Sequence, residues 1–229
     1  MNDFYTFILT STINSVAGAI DAPTRFNQTL ETIDSIYQKV PNAKILFIDN
    51  SIISLSSKQQ ILIKSKVDQF EQLEHNLFSY FFNERGLKSP SEAYLMECAI
   101  KLLKKYELIG KRIFKMTGRY KLTDSFNIEE YNDPKYQGKY AFRITQWDFT
   151  TDNWNTSRRE YFFETRVWSL CPTLLDEYTA LLQPMLNFML EKNENTEIAH
   201  YRFIPHDKVI ELKTAHLEGI MAGGDYRSE

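Results

Sequence analysis

Two short apolar runs on either side of one helical pattern dominate the first fifty residues of the sequence. Phe4 to Thr10 and Lys44 to Ile48 are compact runs of strand-forming residues, as expected for strands buried on both faces. The apolar residues between them recur at helical spacing: Phe26, Leu30, Ile33 and Tyr37. Strand, helix and strand in this order form a βαβ unit, which predicts parallel strands joined by a right-handed crossover.

The alternation of helices and strands continues to about residue 120. Ser57 to Leu77 has a helical pattern, and Phe78 to Phe82 is an aromatic run that fits a short strand or a buried turn. Pro90 suits the first turn of a further helix, because its missing N–H has no helical partner there. Arg112 to Met116 is a short strand that ends at Thr117. This half therefore predicts an α/β fold with a mostly parallel central sheet flanked by helices.

The second half has a different pattern. Tyr140 to Phe149 and Glu160 to Leu170 alternate as strands do, and together they predict an antiparallel hairpin that turns at residues 152–155. Leu174 to Leu190 follows as a helix. His200 to Ile204 is predicted as a strand, Val209 to Leu217 as either a strand or a short helix, and the polar tail as loose.

We expect residues 1–229 to form one domain, with residues 1–125 as a nucleotide-binding half and residues 126–229 as an acceptor-side half. A chain of this length can bury a large core without disulfides.

Composition excludes several classes of protein. The formal net charge is −3 and the pI is about 5.9, which argues against nucleic acid as a partner. The cysteines, Cys98 and Cys171, form neither a CxxC pair nor a Cys/His pair, which suits a reducing compartment. The sequence has no signal peptide and no apolar run long enough to span a bilayer. We therefore expect a cytoplasmic protein without a transmembrane segment, which can still contact a membrane surface peripherally.

Polar residues follow each predicted parallel strand. Thr10-Ser11-Thr12, Asp49-Asn50-Ser51 and Met116 to Arg119 lie just beyond strand ends, and ligands of open parallel sheets bind at that edge. Hydroxyl and backbone N–H groups there can hold a base and a ribose. The Asp49 carboxylate can accept hydrogen bonds from a ligand, or it can cap the turn in which it lies.

The first half of the chain resembles the GT-A fold of nucleotide-sugar glycosyltransferases. The resemblance rests on four segments: Phe7 to Thr12, Arg25 to Ile36 with Gln28 and Ser35, Ile45 to Ser51, and Lys88 through Glu92 to Ile100. It implies a nucleoside-diphosphate sugar as donor and a glycan or lipid-linked acceptor. It also implies that the nucleotide is held by Thr10, Ser11, Thr12, Arg25, Asp49, Asn50 and Ser51.

The segment Lys115-Met116-Thr117-Gly118-Arg119-Tyr120 resembles a Lys-x-x-Gly-Arg-Tyr motif of small bacterial and viral glycosyltransferases, but it departs from the usual GT-A pattern. GT-A enzymes usually have Asp-x-Asp at this strand end, and its carboxylates hold a divalent cation that neutralises the diphosphate. Here Lys115 and Arg119 flank a glycine instead, and two cations can do the same electrostatic work. We expect that Mn²⁺ or Mg²⁺, if bound, is not essential. The alternative is a surface turn with two solvated charges.

We expect the second half of the chain to supply the residues that bind the acceptor and the group that accepts its proton. Arg143, Glu164 and Arg166 can line the acceptor, although Glu164 and Arg166 share a strand face and can simply pair with each other. Glu218 or His216 can accept the proton of the acceptor hydroxyl, or Glu218 can be a surface acid. Arg119 completes the predicted catalytic set.

The sequence thus predicts a glycosyltransferase. It contains no P-loop, no G-x-G-x-x-G, no G-x-S-x-G and no H-E-x-x-H motif. Two alternatives remain open. A nucleotidyltransferase would share the α/β plan but would need paired carboxylates for its metal, and a non-catalytic domain would bind sugar or nucleotide only.

Overall fold

The computed structural model describes residues 2–15, 20–73, 87–150, 157–220 and 226–228. Its strands are β1 Tyr5–Ser11, β2 Ala43–Asp49, β3 Gln69–Gln72, β4 Arg112–Thr117, β5 Tyr120–Leu122, β6 Tyr140–Phe142, β7 Ile144–Thr150, β8 Ser157–Phe163, β9 Val167–Leu170, β10 Val209–Glu211, β11 Leu217–Ile220 and β12 Tyr226–Ser228. Its α-helices are α1 Ala22–Lys39, α2 Ser57–Lys64, α3 Lys88–Lys105, α4 Leu175–Lys192 and α5 Thr196–Phe203. Short 3₁₀ turns span Ile128–Asn132, Pro134–Tyr136, Pro172–Leu174 and His206–Lys208.

The central sheet has seven strands in the order β3-β2-β1-β4-β9-β6-β10. Strand β1 pairs in parallel with β2 on one side and with β4 on the other. Strand β9 runs antiparallel to both of its neighbours, β4 and β6. The mixed α/β fold with a mostly parallel sheet, predicted from the sequence, is confirmed.

The buried strands have apolar residues on both faces because helices cover both sides of the sheet. Alternation along β1 directs Ile8 into the core that α3, α4 and α5 cover, and Phe7 and Leu9 into the core that α1 covers. Helix α1 begins at Ala22, and the Asp21 side chain caps it by accepting a hydrogen bond from the Thr24 N–H.

Three local expectations were wrong. The helix predicted from Ser57 to Leu77 stops at Lys64, and the chain then forms the edge strand β3 against β2. The strand predicted at His200 to Ile204 is instead the end of α5, whose first turn is capped by the Asn195 side chain. The tail expected to be loose contains β12, which pairs with β11. In the undecided segment, Val209–Glu211 is a strand.

The predicted hairpin is present as β7 and β8, which pair from Ile144 opposite Phe163 to Thr150 opposite Ser157. Its predicted turn at 152–155 and the aromatic run Phe78 to Phe82 lie outside the described residues. Helix α4 continues through Pro184. In the part of the chain that the structure describes, no helix combines the length and the apolar character needed to cross a membrane.

Candidate active site

A cavity of about 180 Å³ opens at the carboxyl ends of β1 and β4. Strands β2 and β3 extend the sheet on one side of β1, whereas β4 lies on the other side. The cavity therefore lies where the strand order reverses, which is the usual ligand position in open α/β sheets. Its walls come from both halves of the chain and are formed by Thr10, Ser11, Thr12, Ser15, Arg25, Lys88, Ser91, Glu92, Leu95, Thr117, Gly118, Arg119, Thr165, Arg166 and Glu197.

The turn after β4 packs tightly against β1 and α1. The Gly118 N–H donates to the Thr10 carbonyl at 2.9 Å, and the Thr29 hydroxyl donates to the Gly118 carbonyl at 3.0 Å. A Cβ on Gly118 would lie 3.2 Å from the Thr29 hydroxyl oxygen and 3.4 Å from the Thr10 carbonyl oxygen. A glycine at this position lets the turn approach α1, and Arg119 is thereby brought to the cavity.

Arg25 and Arg119 bring two guanidinium groups to the cavity. Arg25 is only 7% exposed and donates to the carbonyl oxygens of Ile20, at 3.0 Å, and Thr12, at 3.3 Å. Arg119 contacts the ring of Tyr120, with its Cζ 5.8 Å from the ring centre. Burial, and then the charge of Arg119, lower the pKa of Arg25. Neither guanidinium forms an ion pair with a carboxylate of the described residues, so both charges are available to an anionic ligand.

Arg166 reaches the cavity from the second half of the chain. It pairs with the buried carboxylate of Glu164, which also accepts from Arg143 at 3.3 Å. Its guanidinium carbon lies 5.7 Å from the ring centre of Tyr120, the ring that Arg119 also contacts. The three predicted acceptor-side residues are therefore brought together, but only Arg166 lines the cavity.

Lys115 is buried and binds three groups inside the protein. Its side chain is 1% exposed, and its ammonium donates to the Glu92 carboxylate, to the Thr117 hydroxyl at 3.1 Å and to the Thr165 carbonyl at 2.7 Å. These contacts use all three of its donors. Lys115 does not line the cavity, and its charge is matched by Glu92. Its predicted contact with a diphosphate would require these contacts to be exchanged.

Glu197 lines the cavity from the first turn of α5 and was not identified in the sequence. It accepts a hydrogen bond from the Thr165 hydroxyl at 3.2 Å. Burial, and then the charge of Glu92, raise the pKa of Glu197. Asn195 is a residue type that commonly caps helices. This signal could have predicted a helix that begins at Thr196, with Glu197 in its first turn. Its proximity to Glu92 depends on long-range packing.

The polar residues at the end of β2 lie next to the residues that line the cavity. Asp49 is fully buried, and its carboxylate accepts from the backbone N–H groups of Ile13 and Ser51, each at 3.0 Å. Burial raises its pKa, whereas these hydrogen bonds lower it. Asn50 donates to the hydroxyl of Ser91 at 2.6 Å. Asp49, Asn50 and Ser51 do not line the cavity, and their contact with a nucleotide stays a prediction.

Glu218 lies on β11 and His216 just before it, and β11 pairs with β5, which lies directly after the turn that carries Arg119. Glu218 pairs with Lys121 across β11 and β5 at 3.0 Å. His216 lies within hydrogen-bond distance of the hydroxyls of Ser125, at 2.9 Å, and Thr214, at 2.8 Å. Neither residue lines the cavity. Strand β11 pairs with β5 and β12 in a three-stranded sheet, and the catalytic roles of Glu218 and His216 stay predictions.

The strand end that resembles the Asp-x-Asp position does not fit a metal ion, because a buried ammonium occupies it. Within the described ranges, no group of three or more His, Cys, Asp or Glu side chains is arranged to hold a metal ion. Among the described residues, two carboxylates line the cavity, those of Glu92 and Glu197, and Glu92 is paired with Lys115. The expectation that a divalent cation is not essential stays a prediction.

No protein-family model and no curated protein matches the chain. Solved structures share its fold. The mannosyltransferase Ktr4p from S. cerevisiae matches with a TM-score of 0.55 and 9% identity over 90% of this chain and 68% of that chain. The galactosyltransferase LgtC, in complex with donor and acceptor sugar analogues, matches with a TM-score of 0.52 and 11% identity over 90% and 72%. A 4-diphosphocytidyl-2C-methyl-D-erythritol synthase matches with a TM-score of 0.53 and 9% identity over 94% and 92%. The chain has a GT-A-like fold.

Proposed function

We propose that the chain is a glycosyltransferase that moves a sugar from a nucleoside-diphosphate sugar to a glycan, a lipid-linked or a protein acceptor. The observation that carries this proposal is the placement of Arg25 and Arg119. Both guanidinium groups line a cavity at the switch point of the sheet, and no carboxylate of the described residues pairs with either. A diphosphate supplies the two negative centres that such a pair binds best.

The cavity residues divide into roles consistent with this reaction. The hydroxyls of Thr10, Ser11 and Thr12 would hold the nucleotide at the end of β1. Arg119 would contact the diphosphate as charge builds on the leaving oxygen, with Arg25 beside it. The residues from 126 onward would form the acceptor side. Three of them, Thr165, Arg166 and Glu197, line the same cavity as the residues of the nucleotide-binding half. We propose that this transfer belongs to polysaccharide biosynthesis and that it takes place in the cytoplasm.

A nucleotidyltransferase is the second candidate. The synthase noted above shares the fold over most of its length, and Glu92 and Glu197 are two carboxylates in one cavity. The pairing of Glu92 with Lys115 argues against a metal held by both of them. A non-catalytic sugar- or nucleotide-binding domain is the third candidate. The reaction products distinguish the three candidate functions. A glycosyltransferase releases a nucleoside diphosphate, a nucleotidyltransferase releases pyrophosphate, and a binding domain releases neither.

The decisive experiment begins with a thermal-shift screen against UDP, GDP, CDP and ADP and their common sugar conjugates, because a ligand that binds only the native state raises the melting temperature. Calorimetry then compares the best diphosphate with its monophosphate. Arg119→Ala should weaken diphosphate binding and leave monophosphate binding nearly unchanged, whereas the control Arg202→Ala, on the exposed side of α5, should alter neither. If no nucleoside diphosphate binds the folded protein, the proposal fails.

A further inference from the structure

We propose that Glu197 is the catalytic residue that receives the proton of the acceptor hydroxyl, and that the Glu92–Lys115 pair positions it and sets the pH at which it acts. This inference rests on the proposed transfer reaction. It replaces Glu218 and His216, which lie outside the cavity, with a carboxylate that lines it.

The geometry of Glu197 suits a proton acceptor. The residue lies in the first turn of α5, with the Asn195 side chain capping that turn. One carboxylate oxygen accepts from the Thr165 hydroxyl at 3.2 Å, which fixes the orientation of the side chain and leaves acceptor capacity on the carboxylate. The same carboxylate lines the cavity in which Arg25 and Arg119 would hold the diphosphate. A bound sugar would therefore have cations and a carboxylate within one cavity.

The charged neighbours of Glu197 come from separate elements. Glu92 projects from the first turns of α3, and Lys115 from the middle of β4. The Lys115 ammonium binds the Glu92 carboxylate and the Thr165 carbonyl. It therefore links Glu92 on α3 to Thr165, the residue whose hydroxyl donates to Glu197. Burial and Glu92 raise the pKa of Glu197, and Lys115 opposes them. Further titratable groups near this cluster are Tyr178 and His200. The charged residues Arg25, Lys88, Arg119 and Arg166 line the same cavity.

The proposed step is a single displacement. The acceptor O–H bond breaks and its proton passes to the Glu197 carboxylate, while the acceptor oxygen forms a bond to the anomeric carbon. The bond between the anomeric carbon and the phosphate oxygen breaks, and its electron pair stays on the nucleoside diphosphate. Arg119 and Arg25 stabilise that charge. A carboxylate with a raised pKa is a better proton acceptor near neutral pH than an ordinary one.

Three variants test the role of Glu197. Glu197→Gln should lower kcat by about 10²-fold or more, because it retains the shape but cannot take the proton. Glu197→Asp should restore part of kcat. The control is Glu191→Gln on the exposed end of α4, which should keep the parental kcat. Binding of the donor's nucleoside diphosphate, measured by calorimetry, should be similar in all three variants, and circular dichroism should show that each is folded.

A pH profile tests the positioning pair. The rate should fall at acidic pH as Glu197 becomes protonated, and Glu92→Gln should move this acid limb toward lower pH by about one unit, since a negative neighbour is lost. A merely structural role for Glu92 would change the rate or the stability but would not move the limb.

The outcomes separate the two proposals. A Glu197→Gln protein that binds diphosphate and transfers sugar at the parental rate overturns the role of Glu197. An acid limb that stays in place in Glu92→Gln overturns the role of the pair. If neither the parent nor any variant binds a nucleoside diphosphate, the proposed function itself fails.

Discussion

Arg25 and Arg119 lie close enough in one cavity that the charge of Arg119, after the burial of Arg25 itself, lowers the pKa of the Arg25 guanidinium. Two like charges held together without a carboxylate partner among the described residues repel each other. An anion between them would relieve that repulsion, which supports the proposed contact with a diphosphate.

Arg119 should matter to the reaction as well as to binding. Arg119→Ala should cost on the order of 10²-fold or more in kcat, because the contact strengthens as charge builds on the leaving oxygen. Arg119→Lys keeps the charge but loses the two-pronged donor, so it should recover only part of that loss. Steady-state donor kinetics of both folded variants check this, and unchanged kcat and KM in Arg119→Ala would show that Arg119 takes no part in donor binding or transfer.

Asp49 should contribute mainly to stability. Asp49→Ala leaves the buried N–H groups of Ile13 and Ser51 without their acceptor, and it should lower the free energy of unfolding by roughly 2–3 kcal/mol. Urea unfolding measures this loss. Calorimetry on the folded variant then tests the sequence-based prediction of a nucleotide contact, since a purely supporting Asp49 would leave the affinity nearly unchanged.

His200 should make stability depend on pH. Burial lowers its pKa to about 4, and its ring is held neutral between the Tyr178 hydroxyl and the Thr196 carbonyl. This contribution is complete above the unfolded pKa of about 6.5 and is lost as the pH falls from there toward 4, a change of about 3 kcal/mol. Unfolding at several pH values should show a shallower dependence in His200→Gln than in the parent. The exposed His206→Gln is the control, and equal slopes in both variants would contradict the prediction.

Divalent cations should not be required for transfer. Activity should survive EDTA, because the strand end that resembles the metal-binding position contains the buried Lys115 instead of a carboxylate. The measurement is the initial rate with and without EDTA, followed by addition of Mn²⁺ or Mg²⁺. Loss of activity that either cation restores would show that the chain binds a metal through other residues, with Asp49, Asp124, Glu92, Glu197 or Glu218 as candidates.

The sequence predicted the elements whose signal is local. Strands β1 and β2 contain continuous apolar runs because they are covered on both faces. Strand β4 is buried in the same way, although it also contains Arg112 and Lys115. Strand β3 is a half-buried edge strand with the sequence QFEQ. Its mixture of polar and apolar residues does not distinguish it from the preceding helix, so the predicted helix extended through it. Helix α5 was predicted as a strand because its aromatic residues favour strands, whereas its cap and its packing against β8 make it a helix.

The position of the site was predictable, but the directions of its side chains were only partly so. The topology of parallel strands brings Thr10 and Arg119 to one edge. Lys115 was expected in the cavity, but alternation along β4 places it on the same face as Ile113, which α3 covers. Glu197 joins the site only through packing between segments far apart in sequence, for which a single sequence carries no local signal.

The position of β9 has a consequence for synthesis of the chain. Strand β4 is followed in space by β9, which is made some fifty residues later and fills the gap between β4 and β6. A nascent chain that has emerged only to about residue 125 therefore carries β1, β2 and β4 with one edge of β4 unpaired. An unpaired strand edge invites pairing with another chain, so we expect β9 to protect the β4 edge once residues 167–170 have emerged.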